Sequence, residues 1–278
     1  PLELPRDAVD VVGSGGDRAN TVNVSTMAAI VAAACGVPVV KHGNRAASSA
    51  CGTADCLEAL GVALNVAPAA QAEVLAQAGI VFLFAPLYHP SLRHARAARR
   101  ELAVQTACNF RGPLANPARP LAQAIGCANL ALAPRVAGVI AGRGHRGLVF
   151  HGNDGLDELT TTTRSLVWLI GDGEVIRTEL DPSDLGLSAA TPESLVGADP
   201  AHNAAVVREV LGGAPGPIRD IVLLNAAAAL LAYDGPSARP VAEQLAPRLA
   251  TAAQAIDSGA AASLLDRWVA VTAAAAKV

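Results

Sequence analysis

The stretch VDVVGSGGDRANTVNVSTMAAIVAAA, residues 9–34, decides the fold of this 278-residue chain. Its apolar, β-branched start at residues 9–12 predicts a strand. Glycines at positions 13, 15 and 16 predict a tight loop, and the Ala-rich run 24–34 has the composition and length of a helix. A strand that leads through a glycine-rich loop into a helix is typical of an α/β fold.

The same alternation continues along the first two thirds of the chain. Strands are predicted at 9–12, 37–40, 80–84, 148–150, 166–170 and 175–180, and helices at 24–34, 54–60, 69–78, 92–102 and 130–141. After Pro182 the pattern becomes helix after helix, at 201–211, 218–233, 242–257 and 260–275. We therefore expect one α/β catalytic domain over residues 1–278, in which helices flank a mostly parallel sheet.

Composition excludes several classes of function. The net charge is −3 with 16% charged and 3% aromatic residues, which disfavours a nucleic-acid or membrane-surface binder, so any anionic ligand must be held locally. Apolar runs such as 80–86 and 221–232 are shorter than the roughly 18 residues of a membrane span. The expected compartment is the cytoplasm.

The five cysteines show no CxxC pair and are interpreted as reduced thiols.

The glycine-rich loop is a candidate phosphate site. Glycines accept positive φ and let backbone N–H groups approach an anion, and Ser25 and Thr26 open the following helix, whose N-terminus favours negative charge. The loop matches neither the Walker A pattern nor the dinucleotide fingerprint. An ordinary strand-to-helix turn would have the same glycines and stays open at this point.

Two further strands end in polar segments. Lys41-His42-Gly43-Asn44-Arg45 follows the strand 37–40, and Ser48 and Ser49 come shortly after it. Ligands of α/β sheets bind at the carboxyl ends of strands, so Lys41, Asn44, Arg45 and Ser48 are candidate donors to phosphate or substrate oxygens. The strand 80–84 leads through Pro86 into a run that carries Arg93, Arg96, Arg99 and Arg100, most of them expected to be solvated.

The segment His151-Gly152-Asn153-Asp154-Gly155-Leu156-Asp157-Glu158 also follows a predicted strand. Its adjacent carboxylates suit Mg²⁺, which binds hard oxygen ligands and leaves positions for substrate phosphates. The alternative is an acid-rich helix N-terminus, and spacing alone does not separate the two.

Taken together, the ordered motifs VGSGGD, NVST, KHGNRAASSACGTADCLEALGV, FAPLYHPSLRHARAARREL, NFRGPLANPARP and HGNDGLDELTTTT resemble the anthranilate phosphoribosyltransferases of tryptophan biosynthesis. The resemblance implies a large α/β domain and a small helical domain with the active site at the hinge between them. Segment 87–117 would be the hinge and helical part that packs on the N-terminal helices of the family. Those helices, which form the family's dimer interface, are expected to be missing from this chain.

The resemblance also implies the site residues. Phosphoribosyl pyrophosphate (PRPP) would be bound by Gly13, Ser14, Gly15, Gly16, Asp17, Thr21, Asn23, Ser25, Thr26, Lys41, Ser48, Ser49 and Gly52. Anthranilate would be bound by Gly13, His42, Asn44, Pro86 and Arg99, with Arg99 gripping its carboxylate. Ser25, Asp157 and Glu158 would serve two Mg²⁺ ions, and a homodimer is implied.

The implied reaction is attack of the anthranilate nitrogen on ribose C1 of PRPP with loss of pyrophosphate. An aromatic amine is already a nucleophile, so no general base is assigned. The chain departs from the family pattern at Ser14, Leu92, Cys108 and Arg111, and the last two bear on acceptor choice. A related transferase with another aromatic acceptor, or a pyrimidine nucleoside phosphorylase, remains an alternative.

Overall fold

The structure is a computed structural model that describes residues 2–46, 50–90 and 112–277. Its strands are β1 (Val9–Gly13), β2 (Val39–Gly43), β3 (Ile80–Phe84), β4 (Ala122–Gly126), β5 (Arg146–Gly152), β6 (Ser165–Gly171) and β7 (Glu174–Leu180). Its α-helices are α1 (Val24–Ala34), α2 (Thr53–Leu60), α3 (Gln71–Ala78), α4 (Ala85–Tyr88), α5 (Ala133–Gly142), α6 (Pro200–Leu211), α7 (Pro217–Asp234), α8 (Val241–Asp257) and α9 (Ala260–Ala275).

The strands form one sheet in the order β3-β2-β1-β4-β5-β6-β7. The first five are parallel to one another, whereas β6 and β7 continue the sheet as an antiparallel hairpin. The predicted mostly parallel α/β sheet is confirmed. Because β1, β2, β3, β4 and β5 run the same way, their carboxyl ends share one edge, and within the described residues that edge carries the predicted polar segments that follow β1, β2 and β5.

The larger core lies on the face of the sheet covered by α1 and α7. Met27 and Ile30 of α1 are fully buried there, and the run Ala226–Ala229 of α7 is also inaccessible to solvent. Alanine favours a helix and allows close packing, which explains why the Ala-rich runs are central rather than peripheral. A second core on the other face packs α5 on the sheet through Val136, Ile140 and Trp168.

Most predicted elements coincide with observed ones, and the differences have local causes. Helices 24–34 and 260–275 have the predicted bounds, whereas helix 130–141 begins at Ala133, with Pro134 in its first turn. The strand predicted at 37–40 begins at Val39, after Pro38, and extends through Lys41 and His42 to Gly43. The helix predicted at 92–102, and most of the hinge segment 87–117, lie outside the described residues.

Within the described ranges no helix is long and apolar enough to cross a lipid bilayer. Four of the cysteines are described, at positions 35, 51, 56 and 127, and none of these four is in a disulfide. Cys108 lies outside the described ranges.

Candidate active site

The glycine-rich loop leaves β1 at the carboxyl edge of the sheet. Gly15 and Gly16 have φ of 72° and 89°, the left-handed region that glycine adopts without strain. The Ser14 N–H donates to the Gly126 carbonyl at 2.9 Å, and the Ser14 hydroxyl accepts the Ala128 N–H at 3.0 Å. The loop is therefore held against the end of β4, with the left-handed glycines at its exposed turn.

The predicted acid pair lies directly against this loop. Asp157 and Glu158 are each only 8% exposed and belong to an irregular segment, so the reading as a helix N-terminus is wrong. Asp157 Oδ2 accepts the Gly15 N–H at 2.5 Å, and Glu158 accepts a backbone hydrogen bond from Ser25 in the first turn of α1. The pair is thus fixed between the glycine loop and the N-terminus of α1.

Burial of adjacent acids changes their protonation. Burial, reinforced by the charge of Asp17, raises the pKa of Asp157 to about 7. Burial and the neighbouring Asp157 raise the pKa of Glu158 well above its ordinary value. Two buried carboxylates side by side repel each other, so a cation between them would be favourable.

Lys41 is the cation already present beneath the pair. Its ammonium is buried and donates to the Val11 carbonyl at 2.5 Å and to the Ser25 hydroxyl at 3.2 Å. Burial lowers its pKa to about 8, and the charges of Asp10 and Glu158 oppose that shift. Lys41 therefore orients Ser25 and partly neutralises the acids from below.

The predicted PRPP residues fall into two groups. One group lies together around the acid pair and consists of the loop Gly13–Asp17, Ser25 and Lys41. In the other group, the side chains of Asn23 and Thr26 turn toward the interior of the protein. Asn23 donates to the Cys51 carbonyl at 3.3 Å and accepts from Asn203 at 2.9 Å, so it links α1 to the start of α2 and to α6. The Thr26 side chain is 1% exposed. Thr21 pairs with Val196 in an isolated β-bridge, and Gly52 is the N-cap of α2.

The acceptor residues lie at the ends of β2 and β3, which are adjacent and parallel. His42 is buried and meets the His89 ring edge-on at 5.2 Å between centroids. Burial, and then His89, lower the pKa of His42 to about 4, so the imidazole is neutral at pH 7. Asn44 and Pro86 are exposed at the two strand ends.

Arg45, a candidate donor to phosphate or substrate oxygens, is paired with acids of α2 in the structure. Its guanidinium pairs with Asp55 at 2.8 Å and with Glu58 at 2.9 Å, and it lies over the Phe84 ring. These contacts hold α2 against the end of β3. Ser48, Ser49, Leu92, Arg99, Cys108 and Arg111 lie outside the described residues.

Sequence reasoning missed several residues that build the site. Asp10 is fully buried, accepts the His42 N–H at 3.1 Å and takes a hydrogen bond from Asn116 at 2.8 Å. Gly126 and Asn225 contact the segment that carries the acid pair. A charged or amide side chain inside an otherwise apolar strand or helix is the signal that could have drawn attention to Asp10 and Asn225.

The donor set fits Mg²⁺. Asp157, Glu158 and the Ser25 hydroxyl offer the hard oxygen ligands that this ion prefers, and they cannot fill its six positions by themselves. The remaining positions suit the oxygens of a bound phosphate and water. A phosphate would have the Gly15–Gly16 turn and the N-terminus of α1 beside it.

A strand-loop-helix unit with the geometry to hold a phosphate lies at the edge of a mostly parallel sheet, next to a buried acid pair. In agreement with this arrangement, residues 5–262 match the glycosyl transferase family α/β domain. The chain is 58% identical over 276 residues to the anthranilate phosphoribosyltransferase of Thermobifida fusca, covering 99% of this chain and 79% of that protein. It is 56% identical to the enzyme of the same name from Arthrobacter sp., covering 98% of this chain and 77% of that protein. The chain belongs to the anthranilate phosphoribosyltransferase family.

Solved structures agree with this assignment. The crystal structure of anthranilate phosphoribosyltransferase from Thermus thermophilus superposes with a TM-score of 0.87 at 41% identity, covering 97% of this chain and 79% of that one. The Saccharomyces cerevisiae enzyme in complex with PRPP and Mg gives a TM-score of 0.88 at 28% identity, covering 98% and 76%.

Proposed function

We propose that this chain transfers the 5-phosphoribosyl group from PRPP to anthranilate, giving N-(5-phosphoribosyl)anthranilate and pyrophosphate, a step of tryptophan biosynthesis. The observation that carries the proposal is the buried acid pair held between the glycine loop and α1. Relatives of this chain are named for this activity, and the structure of the yeast relative has been solved in complex with PRPP and Mg.

PRPP would lie along the carboxyl edge of β1, with its pyrophosphate at the glycine loop and the N-terminus of α1. The residues proposed for it are Gly13, Ser14, Gly15, Gly16, Asp17, Thr21, Asn23, Ser25, Thr26, Lys41, Ser48, Ser49 and Gly52. Backbone N–H groups aimed at the leaving oxygens would stabilise the charge that develops as the bond to ribose C1 breaks. Asn23, whose side chain is engaged with α2 and α6, would act by shaping the loop.

Ser25, Asp157 and Glu158 would hold Mg²⁺, and we propose two ions. The metal supplies charge neutralisation for the departing pyrophosphate when it is bound. The protein's part is to keep both carboxylates fixed at the loop, with Lys41 beneath them, so that no reorganisation is needed during reaction.

Anthranilate would be held by Gly13, His42, Asn44, Pro86 and Arg99, at the edge where β2 and β3 end. A neutral His42 can line the aromatic acceptor without adding charge. The amine needs no general base to become a nucleophile, so alignment of the nitrogen with ribose C1 would supply much of the rate enhancement.

The central test is loss of anthranilate fluorescence with PRPP and Mg²⁺. The double variant Asp157→Asn, Glu158→Gln should lose at least about 100-fold in turnover, because the metal site and its charge are removed together. The matched control is Asp172→Asn, Glu174→Gln, a pair of acids at the β6–β7 turn on the opposite edge of the sheet. Wild-type protein that is folded yet inert with both substrates would overturn the proposal.

Arg99→Ala tests the acceptor assignment separately. It should raise the KM for anthranilate by about tenfold or more, the effect of losing a charged partner, and leave the KM for PRPP within twofold. Arg96→Ala is the matched control. An unchanged anthranilate KM in Arg99→Ala would assign the carboxylate to another residue.

By the same family resemblance we propose that the protein acts as a homodimer in the cytoplasm. Light scattering of the purified chain tests the first part, since a monomer that turns over anthranilate would contradict it. Cell fractionation with an antibody tests the second.

A further inference from the structure

The acid pair has no room to move toward the sheet. A Cβ added at Gly126 would lie 1.6 Å from the Asp157 carbonyl oxygen, and one added at Gly13 would lie 2.5 Å from Asp157 Oδ2. Both distances are far shorter than van der Waals contact, so the backbone of Asp157 rests directly on the ends of β1 and β4. These contacts prevent the acid segment from moving toward the sheet, but they do not prevent it from moving away.

Asn225 of α7 holds the other side. Its Oδ1 accepts the Leu159 N–H at 3.0 Å, and its Nδ2 donates to the Leu159 carbonyl at 2.8 Å. One amide side chain thus satisfies both backbone polar groups of the residue that follows Glu158, across 66 positions of sequence. Nδ2 also donates to the Ile221 carbonyl at 2.9 Å, one turn earlier in α7, which fixes the orientation of the amide.

The surroundings show that this contact is not a generic feature of the helix. Asn225 is 1% exposed in a helix whose neighbours from Ala226 to Ala229 are completely buried. Asparagine is a poorer helix former than alanine, and burying its amide is costly unless every polar atom is satisfied. An apolar residue would suit the core better, so the position is explained by what the amide does for Leu159.

The segment is also braced from within. Asp154 accepts the Leu156 N–H at 3.1 Å and the Thr160 hydroxyl at 2.7 Å, closing a short loop that has Asp157 and Glu158 inside it. These bonds set the shape of the loop, but they do not fix its position against the rest of the protein. That position depends on the hydrogen bonds of the two acids to Gly15 and Ser25, on the close contacts at Gly13 and Gly126, and on Asn225, which holds the residue that follows the pair.

We propose that Asn225 is a positioning residue for the metal-binding acid pair, acting through the backbone of Leu159. The proposal rests on the proposed function in one respect, that Asp157 and Glu158 bind the metal with PRPP. Residues that orient metal ligands in this way commonly contribute about ten- to hundredfold to metal affinity.

The test compares Asn225→Leu, which removes all three hydrogen bonds, with Asn225→Ser, whose smaller side chain leaves room for water and is the easier variant to fold. The matched control is Leu231→Ala, which weakens the core of the same helix at a residue 1% exposed and more than a turn further on. Binding of Mn²⁺ in the presence of PRPP, followed by electron paramagnetic resonance, should weaken about tenfold or more in both Asn225 variants and stay within twofold of wild type in Leu231→Ala. Equal Mn²⁺ affinity in all four proteins would overturn the proposal.

Steady-state kinetics give a second, independent reading. The Asn225 variants should need about tenfold more Mg²⁺ for half-maximal turnover while the KM for anthranilate stays within twofold. A fall in kcat alone, with an unchanged Mg²⁺ requirement, would mean that Asn225 has a purely structural role. Because the Mn²⁺ experiment contains no acceptor, it decides on Asn225 even if anthranilate proves to be the wrong acceptor.

Hydrogen exchange tests the geometric part without any ligand. The peptide that contains Leu159 should exchange faster in Asn225→Leu and Asn225→Ser than in wild type, and should be unaffected in Leu231→Ala. Protection that persists without the Asn225 amide would show that the segment is held by other contacts.

Discussion

At the scale of single residues, Gly126 sets the distance between the sheet and the acid pair. A methyl group there would collide with the Asp157 backbone carbonyl at 1.6 Å, and a backbone atom cannot turn aside as a flexible side chain can. Gly126→Ala should therefore displace the pair, lower stability by about 1–3 kcal/mol and reduce turnover by about 100-fold. Chemical denaturation and the fluorescence assay measure the two effects.

A matched glycine is available as the control. Gly138 is exposed in α5, and a Cβ added there meets nothing within 4 Å. Gly138→Ala should leave turnover unchanged and stabilise the protein by about 0.5–1 kcal/mol, because alanine loses less backbone entropy in a helix. Similar behaviour of the two variants would remove the special role of Gly126.

The protonation of His42 gives a prediction at the same scale. Burial lowers its pKa to about 4, against 6.5 for an ordinary histidine, so the folded protein binds fewer protons than the unfolded chain between these values. The stability contributed by neutral His42 is complete above about pH 6.5 and is lost as the pH falls toward 4. In an NMR titration, with the signal assigned by His42→Gln, the His42 ring should show no midpoint between pH 5.5 and 8. A midpoint in that range would contradict its neutral, buried state.

The sequence predicted residues whose chemistry shows in a local pattern and missed those whose role depends on distant contacts. The acid pair, the glycine loop and Lys41 each stand in a short polar segment after an apolar run. Gly126 stands between Ile125 and Cys127 at the end of a short Ala-rich run and has no polar segment after it like those that follow β1, β2 and β5, and Asn225 is a lone amide in a helical pattern. Their partners, Asp157 and Leu159, are distant in sequence, so only the folded chain shows the contact.

At the scale of elements, β4 is the strand that sequence patterns missed, although it lies in the middle of the sheet. Its sequence, AQAIG, is short and rich in alanine, which is depleted in strands. The structure explains the small residues, because β4 is buried along its whole length and ends at Gly126, beneath the acid segment. Strands β1 and β3 are rich in the β-branched or aromatic residues that are common in strands, and they were predicted almost residue for residue.

The junction of α1, α2 and α6 leads to a prediction about elements. Asn203 of α6 is buried, donates to Asn23 at 2.9 Å and accepts the Ala198 N–H at 2.8 Å. Asn203→Ala would leave the Ala198 N–H without its partner and would leave the Asn23 side-chain oxygen with the Cys51 thiol at 3.4 Å as its remaining donor, which should cost about 1–3 kcal/mol of stability. Because Asn23 precedes the first turn of α1, the KM for PRPP should rise several-fold while the KM for anthranilate changes little.

The exposed Glu209 lies on the same helix and provides the control. Glu209→Ala should stay within about 0.5 kcal/mol of wild type and keep both KM values. If Asn203→Ala raised the KM values for PRPP and anthranilate equally, α6 would support the whole site rather than only the part that binds PRPP.

At the scale of the whole molecule, the charge is slightly negative, yet the proposed ligand is a polyanion. A net charge of −3 gives no general attraction for phosphates, so binding must come from the few N–H groups and cations at one edge of the sheet. That edge also holds buried acids, which repel a pyrophosphate. Groups that attract a pyrophosphate therefore lie beside acids that repel it. A divalent cation bound to the acids would offset that repulsion.

This balance predicts that Mg²⁺ and PRPP stabilise the protein jointly. At a pH above the Asp157 pKa of about 7, PRPP alone would bring negative charge next to an ionised acid, whereas Mg²⁺ alone would find only part of its ligand set. Together, at about 100 times the dissociation constant of PRPP, they should add about 2.7 kcal/mol, a rise in Tm of roughly 5 °C for a chain of this size. Thermal unfolding with neither ligand, each one and both measures this, with ribose 5-phosphate plus Mg²⁺ as the control that lacks the pyrophosphate. The Asp157→Asn, Glu158→Gln variant should reverse the dependence, because PRPP without Mg²⁺ then no longer meets the charge of the acid pair. A shift with PRPP alone as large as with both ligands, in the wild-type protein, would show that the acid pair does not couple metal to substrate.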